Sequence, residues 1–157
     1  MQPTAIKGKL KRGRGIVATT ILIAHALKHL YVSGQSTQIL PDIKTDLRLT
    51  GAQYGSFGTI SGLAWGSATM IAGYLGDRFT KRAGVMLSVS MALMGVSLFL
   101  MGFASGYTSI LVILFFAGIG PAMFHPPAIG ELSRRFPDRR GFAVSLHGMG
   151  ANLGEVL

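Results

Sequence analysis

The sequence predicts an all-α integral membrane protein, and three observations predict it. Long stretches carry no charge, their apolar residues run on without alternating, and the basic residues gather in the short connections between them. Of 157 residues, 49% are hydrophobic and only 13% charged, against about 25% charged in a soluble domain. Between Arg48 and Asp77 lie 28 residues without Asp, Glu, Lys or Arg, and between Arg82 and Glu131 lie 48 more. A bilayer core takes about 20 apolar residues per helix, so the first stretch fits one span and the second fits two. Barrel strands would alternate in polarity, whereas a helix satisfies its own backbone within lipid, so helices account for these runs.

The elements follow in order. Residues 1–14 form a basic leader with Lys7, Lys9, Lys11, Arg12 and Arg14. A first span near 15–41 is interrupted by one charge, Lys28. Basic residues followed by Ile16 to Ile23 and Ala24-His25-Ala26 also fit a cleavable signal peptide. Cleavage there would leave a remnant too short and polar to span, inverting every later loop against its charge. A second span near 50–76 carries Gly51, Gly55, Gly58, Gly62, Gly66, Gly73 and Gly76. Spacings of three and four put most of these on one face, which reads first as a packing surface for a neighbouring helix and second as a sliding hinge. A third span near 83–103 ends in the Gly102–Ser109 turn, which holds an interfacial Tyr107. The fourth, near 107–132, contains Phe124-His125-Pro126-Pro127, where two prolines remove amide donors and break the helix. A fifth begins near 141 and is cut short at Leu157, with Gly150 and Gly154 as a small-xxx-small pair. The chain is therefore expected to be the incomplete N-terminal part of a larger bundle.

Orientation follows from the basic residues. Arg78, Lys81 and Arg82 occupy the second-to-third connection, and Arg134, Arg135, Arg139 and Arg140 the fourth-to-fifth. With the leader these define one basic side, expected to be cytoplasmic with the N-terminus; on the other side Lys44 and Arg48 are offset by Asp42 and Asp46. The net charge of +9 is explained by this placement and not by nucleic acid, because no aromatic-interleaved basic face accompanies it. The absence of cysteine excludes disulfides, thiolate catalysis and Cys-ligated metals.

Ionisable residues inside spans are costly, roughly 2.5–3.5 kcal/mol for a central charge, and this chain has six of them. His25, Lys28 and His29 lie on the first span, His125 on the fourth, His147 and Glu155 on the fifth. At a rise of about 1.5 Å per residue, Lys28 and Glu155 stand about 20 Å from the basic side, and His125 and His147 about 10 Å. A polar cavity between the first, fourth and fifth helices is expected, with Lys28 and Glu155 as a neutralising pair or a substrate-anion and proton site. The histidines would be proton carriers. The blander reading is that each group is satisfied locally and only fixes packing. His25 and His29 share a helix face, but no Glu follows His25 and no second His pair completes a cluster, so no metal is assigned. No cofactor is called for, and a proton gradient is the expected driving force.

Gly73-Tyr74-Leu75-Gly76-Asp77-Arg78-Phe79-Thr80-Lys81-Arg82 resembles the signature between the second and third helices of the major facilitator superfamily, departing from it at Thr80, where Gly is usual. The resemblance implies a twelve-helix fold in two six-helix halves, of which this chain holds the first four and a half helices. It implies that Gly73, Gly76, Asp77, Arg78, Lys81 and Arg82 form a conformational latch, and that first- and fourth-helix polar residues line the path. Gly118-Ile119-Gly120-Pro121-Ala122 is similar to the tail of the family's fourth-helix motif. The Arg that many proton-coupled exporters carry there is replaced by Leu114, which leaves His125 as a substitute. Phe124 to Ala128, Arg139-Arg140-Gly141 and Ser145-Leu146-His147-Gly148 are similar to the fosmidomycin-resistance branch of drug exporters. The expectation is a transporter of a small organic solute in the cell (inner) membrane, not an enzyme. Its partners would be the bilayer, the solute and the missing C-terminal half. Proton-coupled efflux leads, organic-anion uptake by the same fold is the alternative, and a membrane-embedded His–metal enzyme is the rival from another class.

Overall fold

The computed structural model describes the backbone of residues 3–156 and the side chains of residues 13–156. The side chains of Lys7, Lys9, Lys11 and Arg12 in the basic leader, and residue Leu157, lie outside the described residues. Helix α1 runs Pro3–Gly34, so no break separates the leader from the first span. It passes through a π-turn, Gln35–Ile39, into α2, Leu40–Asp46. The widened turn falls just before Pro41, whose ring cannot sit against the carbonyl four residues back.

After a turn through Arg48, whose φ of 50° is left-handed, Thr50 caps α3, Gly51–Arg78. Its hydroxyl accepts the Gln53 amide at 3.3 Å, while the Thr50 amide donates to Gln53 Oε1 at 2.9 Å, a reciprocal cap of a helix start. A 3₁₀ turn, Thr80–Arg82, leads to α4, Ala83–Met101. Among the described residues only Arg48 is a non-glycine with positive φ. The motif turn therefore needs no left-handed backbone, and Thr80 can stand where the family pattern has Gly.

The fourth span is two helices, α5 Tyr107–Ala122 and α6 His125–Arg135. Pro126 and Pro127 have no N–H to give to the carbonyls of Ala122 and Met123, so the ladder lapses there and resumes with Ala128 donating to Phe124 at 3.2 Å. Both prolines then fall in the first turn of α6, where missing donors cost least. Helix α7 is Arg140–Val156.

Two groups of helices form, α1 with α7 and α5 with α3 and α4, and α6 touches both. Close approach comes from glycine, though not from the ladder. A Cβ on Gly118 would stand 2.5 Å from the Ser61 carbonyl oxygen, and one on Gly120 would stand 2.7 Å from Met94 Cγ. Ser90 Oγ donates to the Gly120 carbonyl at 2.7 Å in this seam. On the other group, Gly150 lies against the Leu22 carbonyl, with a Cβ only 2.6 Å away, and Gly154 presses on the Ala26 carbonyl. By contrast Gly51, Gly55, Gly58, Gly62, Gly66 and Gly73 meet nothing within 4 Å. Within the described residues α3 buries Phe57, Ala64, Ala68 and Ala72, and no helix of this chain packs on most of the glycine stripe.

The two groups have separate apolar cores. One joins Ala18, Ile21, Phe124, Ala128, Leu132 and Ala143, and the other Phe57, Met101, Ile110, Leu114 and Ala117. The outside is apolar as well: Met70, Phe103, Phe99, Leu63 and Val85 are all well exposed, which a water-facing surface does not tolerate over so wide an area. Gly13–Asp46, Thr80–Met101 and Tyr107–Arg135 are long and apolar enough to cross a membrane. Helix α3 has the length, about 42 Å for its 28 residues, but its Gly, Ser and Thr residues dilute the hydropathy. Helix α7 has 17 described residues.

Candidate functional site: a histidine–lysine cluster at the helix break

Where α1, α6 and α7 meet, the helix break brings His125 to the first position of α6, facing Lys28. Lys28 Nζ lies 3.0 Å from His125 Nε2, His125 Nδ1 lies 3.4 Å from His147 Nε2, and His25 Nδ1 lies 2.6 Å from the His147 carbonyl oxygen. His25, Lys28 and His147 are buried; His125 is half-buried. At the edge, His29 Nδ1 pairs with Glu155 Oε1 at 3.0 Å, with the Glu155 side chain 57% exposed.

The geometry fixes tautomers. An ammonium has only donors, so with Lys28 charged His125 Nε2 must accept. Its Nδ1–H then donates to His147 Nε2, which leaves the proton of neutral His147 on Nδ1. His25 Nδ1 must donate to the carbonyl, leaving a bare lone pair on Nε2. His25 Nε2 and His147 Nδ1 are buried polar atoms without a partner among the described residues, one an acceptor and the other a donor. Such groups are costly to leave unpaired, and they give the cluster capacity to exchange a proton or to bind a polar group.

The expected Lys28–Glu155 pair is corrected. Each takes a different partner, Lys28 a histidine on α6 and Glu155 a histidine on α1, although both lie at similar depth. The sequence reading also missed Phe124, fully buried, whose ring stacks on His25 at 5.4 Å and His147 at 6.0 Å. It also missed Tyr31 and Gln35, whose Oη and Nε2 atoms are buried without partners among the described residues. Their spacing from Lys28, three and then four residues along one helix, was the available signal. Gln35 borders a cleft of about 240 Å³ between α1, Trp65 of α3 and Pro121 of α5. Leu114 is fully buried in the α3–α5 core, so the position of the absent Arg does packing work.

His25, His125 and His147 offer ring nitrogens within 4.8 Å of one another, which raises metal ligation. The rings of His25 and His147 are parallel within 3° at 3.7 Å, and a metal lies in the plane of each ring it binds. Two face-to-face rings cannot both aim at one ion, and an ammonium beside the third opposes a cation. The arrangement fits hydrogen bonds and protons better than a metal.

At the basic end, a Cβ on Gly76 would stand 3.9 Å from Pro126 Cβ, and Arg134 Nη2 donates to the Thr80 carbonyl at 3.0 Å. The motif turn is thereby tied to α6. Arg82 lies over the Phe79 ring at 5.7 Å. Asp77 and Arg78 are exposed, and Asp77 makes no ion pair among the described residues.

Residues 21–157 match the profile of the Major Facilitator Superfamily. The chain belongs to that superfamily. Over 155 residues it is 23% identical to the uncharacterized MFS-type transporter YfnC of Bacillus subtilis (strain 168). That alignment covers 97% of this chain and 37% of the relative. No solved structure matches at a significant level. Family membership and the apolar helices make this superfamily chain a multi-pass membrane protein.

Proposed function

We propose that the protein is a secondary active transporter of a small organic solute, proton-coupled and working as an exporter. In this reading the α1–α6–α7 cluster is its proton and substrate site. The observation that carries the reading is the buried run from Lys28 through His125 to His147, with His25 stacked upon it. Ionisable groups inside membrane helices mark ion and proton routes, and this run offers alternate donors and acceptors with two positions unfilled. Lys28 supplies a positive charge that a bound anion or a departing proton would balance. In this reading the protein sits in the cell (inner) membrane with its N-terminus cytoplasmic, which the basic connections support. Organic-anion uptake is the second reading, favoured by the site itself: one ammonium and four imidazoles face a single carboxylate that is mostly exposed.

The test is flux in proteoliposomes of the intact protein under an imposed pH gradient. Solute movement should follow the gradient and stop with a protonophore. Flux indifferent to both would remove proton coupling from the reading.

The exposed Asp77 and its basic neighbours are read as a conformational latch that engages the other half of the transporter. Asp77→Asn is expected to slow turnover several-fold while substrate binding stays unchanged. Wild-type turnover would reduce the segment to a topological anchor.

A further inference from the structure

Lys28, His125 and His147 form a chain of donors that all point the same way. Lys28 Nζ donates to His125 Nε2 at 3.0 Å, and His125 Nδ1–H donates to His147 Nε2 at 3.4 Å. The last proton, on His147 Nδ1, has no acceptor among the described residues. Such a chain has a second state with one proton fewer. When the proton on His147 Nδ1 leaves, His147 Nε2 can take the one on His125 Nδ1, and His125 Nε2 can take one from Lys28. Three N–H bonds break, two form, and one proton departs. Both imidazoles finish neutral in the opposite tautomer, and Lys28 becomes an amine that accepts from His125 Nε2–H. The charge lost is the ammonium's, although the departing proton came from His147.

The surroundings leave Lys28 free to share in this way. It is 6% exposed and bonded to an imidazole, so its charge is buried without an ion pair among the described residues. The ionisable groups around it are few. Helix α1 adds His25 and His29, α6 adds His125, and α7 adds His147 and Glu155, while α4 has none and those of α3 lie near its two ends. Glu155 is engaged with His29 at 3.0 Å. His25 Nδ1 is engaged with the His147 carbonyl at 2.6 Å, which holds the relay in register without joining it. Lys28 is rooted about 10 Å farther from the basic side than the two relay histidines. Helix side chains lean back toward the N-terminus, so the relay opens toward the basic side.

We infer that Lys28 is the residue that gains and loses the proton, and that His125 and His147 relay it by inverting their tautomers together. Its part in transport rests on the proposed proton coupling; the tautomer change stands apart from that.

The experiment is solid-state NMR of the intact protein in bilayers, with isotope-labelled histidine nitrogens assigned by single substitutions and titrated with pH. His125 and His147 should carry their proton on Nδ1 on the acid side of one shared midpoint and on Nε2 on the alkaline side. Lys28→Arg keeps a positive donor that cannot release its proton. It should hold both histidines as Nδ1–H throughout and lose proton-driven flux. Fixed tautomers or separate midpoints in the parent protein would overturn the assignment. So would tautomers that still invert in folded Lys28→Arg, or proton-driven flux at the parent's level in that variant. If the arginine prevents folding, the parent's titration alone decides. Ring nitrogens are read without any flux, so failure here is distinct from failure of the transport reading.

Discussion

Lys28→Ala in the intact protein is expected to abolish flux, by about 100-fold or more, while membrane insertion stays normal. The side chain is buried and hydrogen-bonded to His125 at 3.0 Å. Removing it takes away the only intramembrane ammonium of the cluster and releases His125 Nε2 from its role as acceptor. The tautomer of His125 is then no longer dictated, nor that of His147 beyond it, so the ordered proton route is lost along its length. Folding should suffer less, because alanine also relieves the cost of a buried charge, which offsets the roughly 1–3 kcal/mol of an orphaned histidine nitrogen. Glu155→Gln tests the other end, where His29 is the partner, and is expected to stop flux as well. Solute flux in proteoliposomes, beside membrane-fraction yield, checks both. Wild-type flux in Lys28→Ala would strip the cluster of its functional assignment and leave it a packing device.

The depths of these residues were legible before their partners were. Counting 1.5 Å per residue put His125 level with His147, and the two are in contact at 3.4 Å. The same arithmetic put Lys28 level with Glu155, yet they pair elsewhere. Depth is one coordinate, and the rotation of each helix about its axis is set by packing that no single span encodes. The helix break shows the same limit. Pro126 and Pro127 announce an interruption, but that it would aim His125 at Lys28 depends on how α6 seats among four neighbours. The glycines illustrate it most plainly. Seven glycines on α3 form the more conspicuous pattern, and a Cβ on six of them would meet nothing within 4 Å among the described residues, whereas Gly118, Gly150 and Gly154, less regular in spacing, are where backbones of this chain meet. A stripe of small residues states that close approach is permitted, and only the neighbour decides whether it happens.

Gly154→Leu is expected to destabilise the protein by about 3 kcal/mol or more, beyond the usual 1–3 kcal/mol of overpacking, and to lower flux with it. The obstacle facing a side chain at Gly154 is the Ala26 carbonyl together with His29 Cβ. Backbone cannot step aside as a flexible side chain can, so α7 must lift from α1. Without a hydrophobic drive between helices in lipid, such van der Waals seams supply much of the association, and α7 has no comparable contact elsewhere. Lifting it also parts His25 from the His147 carbonyl, now 2.6 Å apart, and draws Glu155 from His29, so the cost reaches the site through geometry alone. Gly148→Leu is the control, since a side chain there meets nothing within 4 Å, and it should melt within about 0.5 kcal/mol of the parent. Thermal denaturation in detergent of the two variants, with flux measured on each, separates the cases. If Gly154→Leu melted with Gly148→Leu and the parent, α7 would not be held against α1 at this seam, and the stacked histidines would need another cause for their closeness.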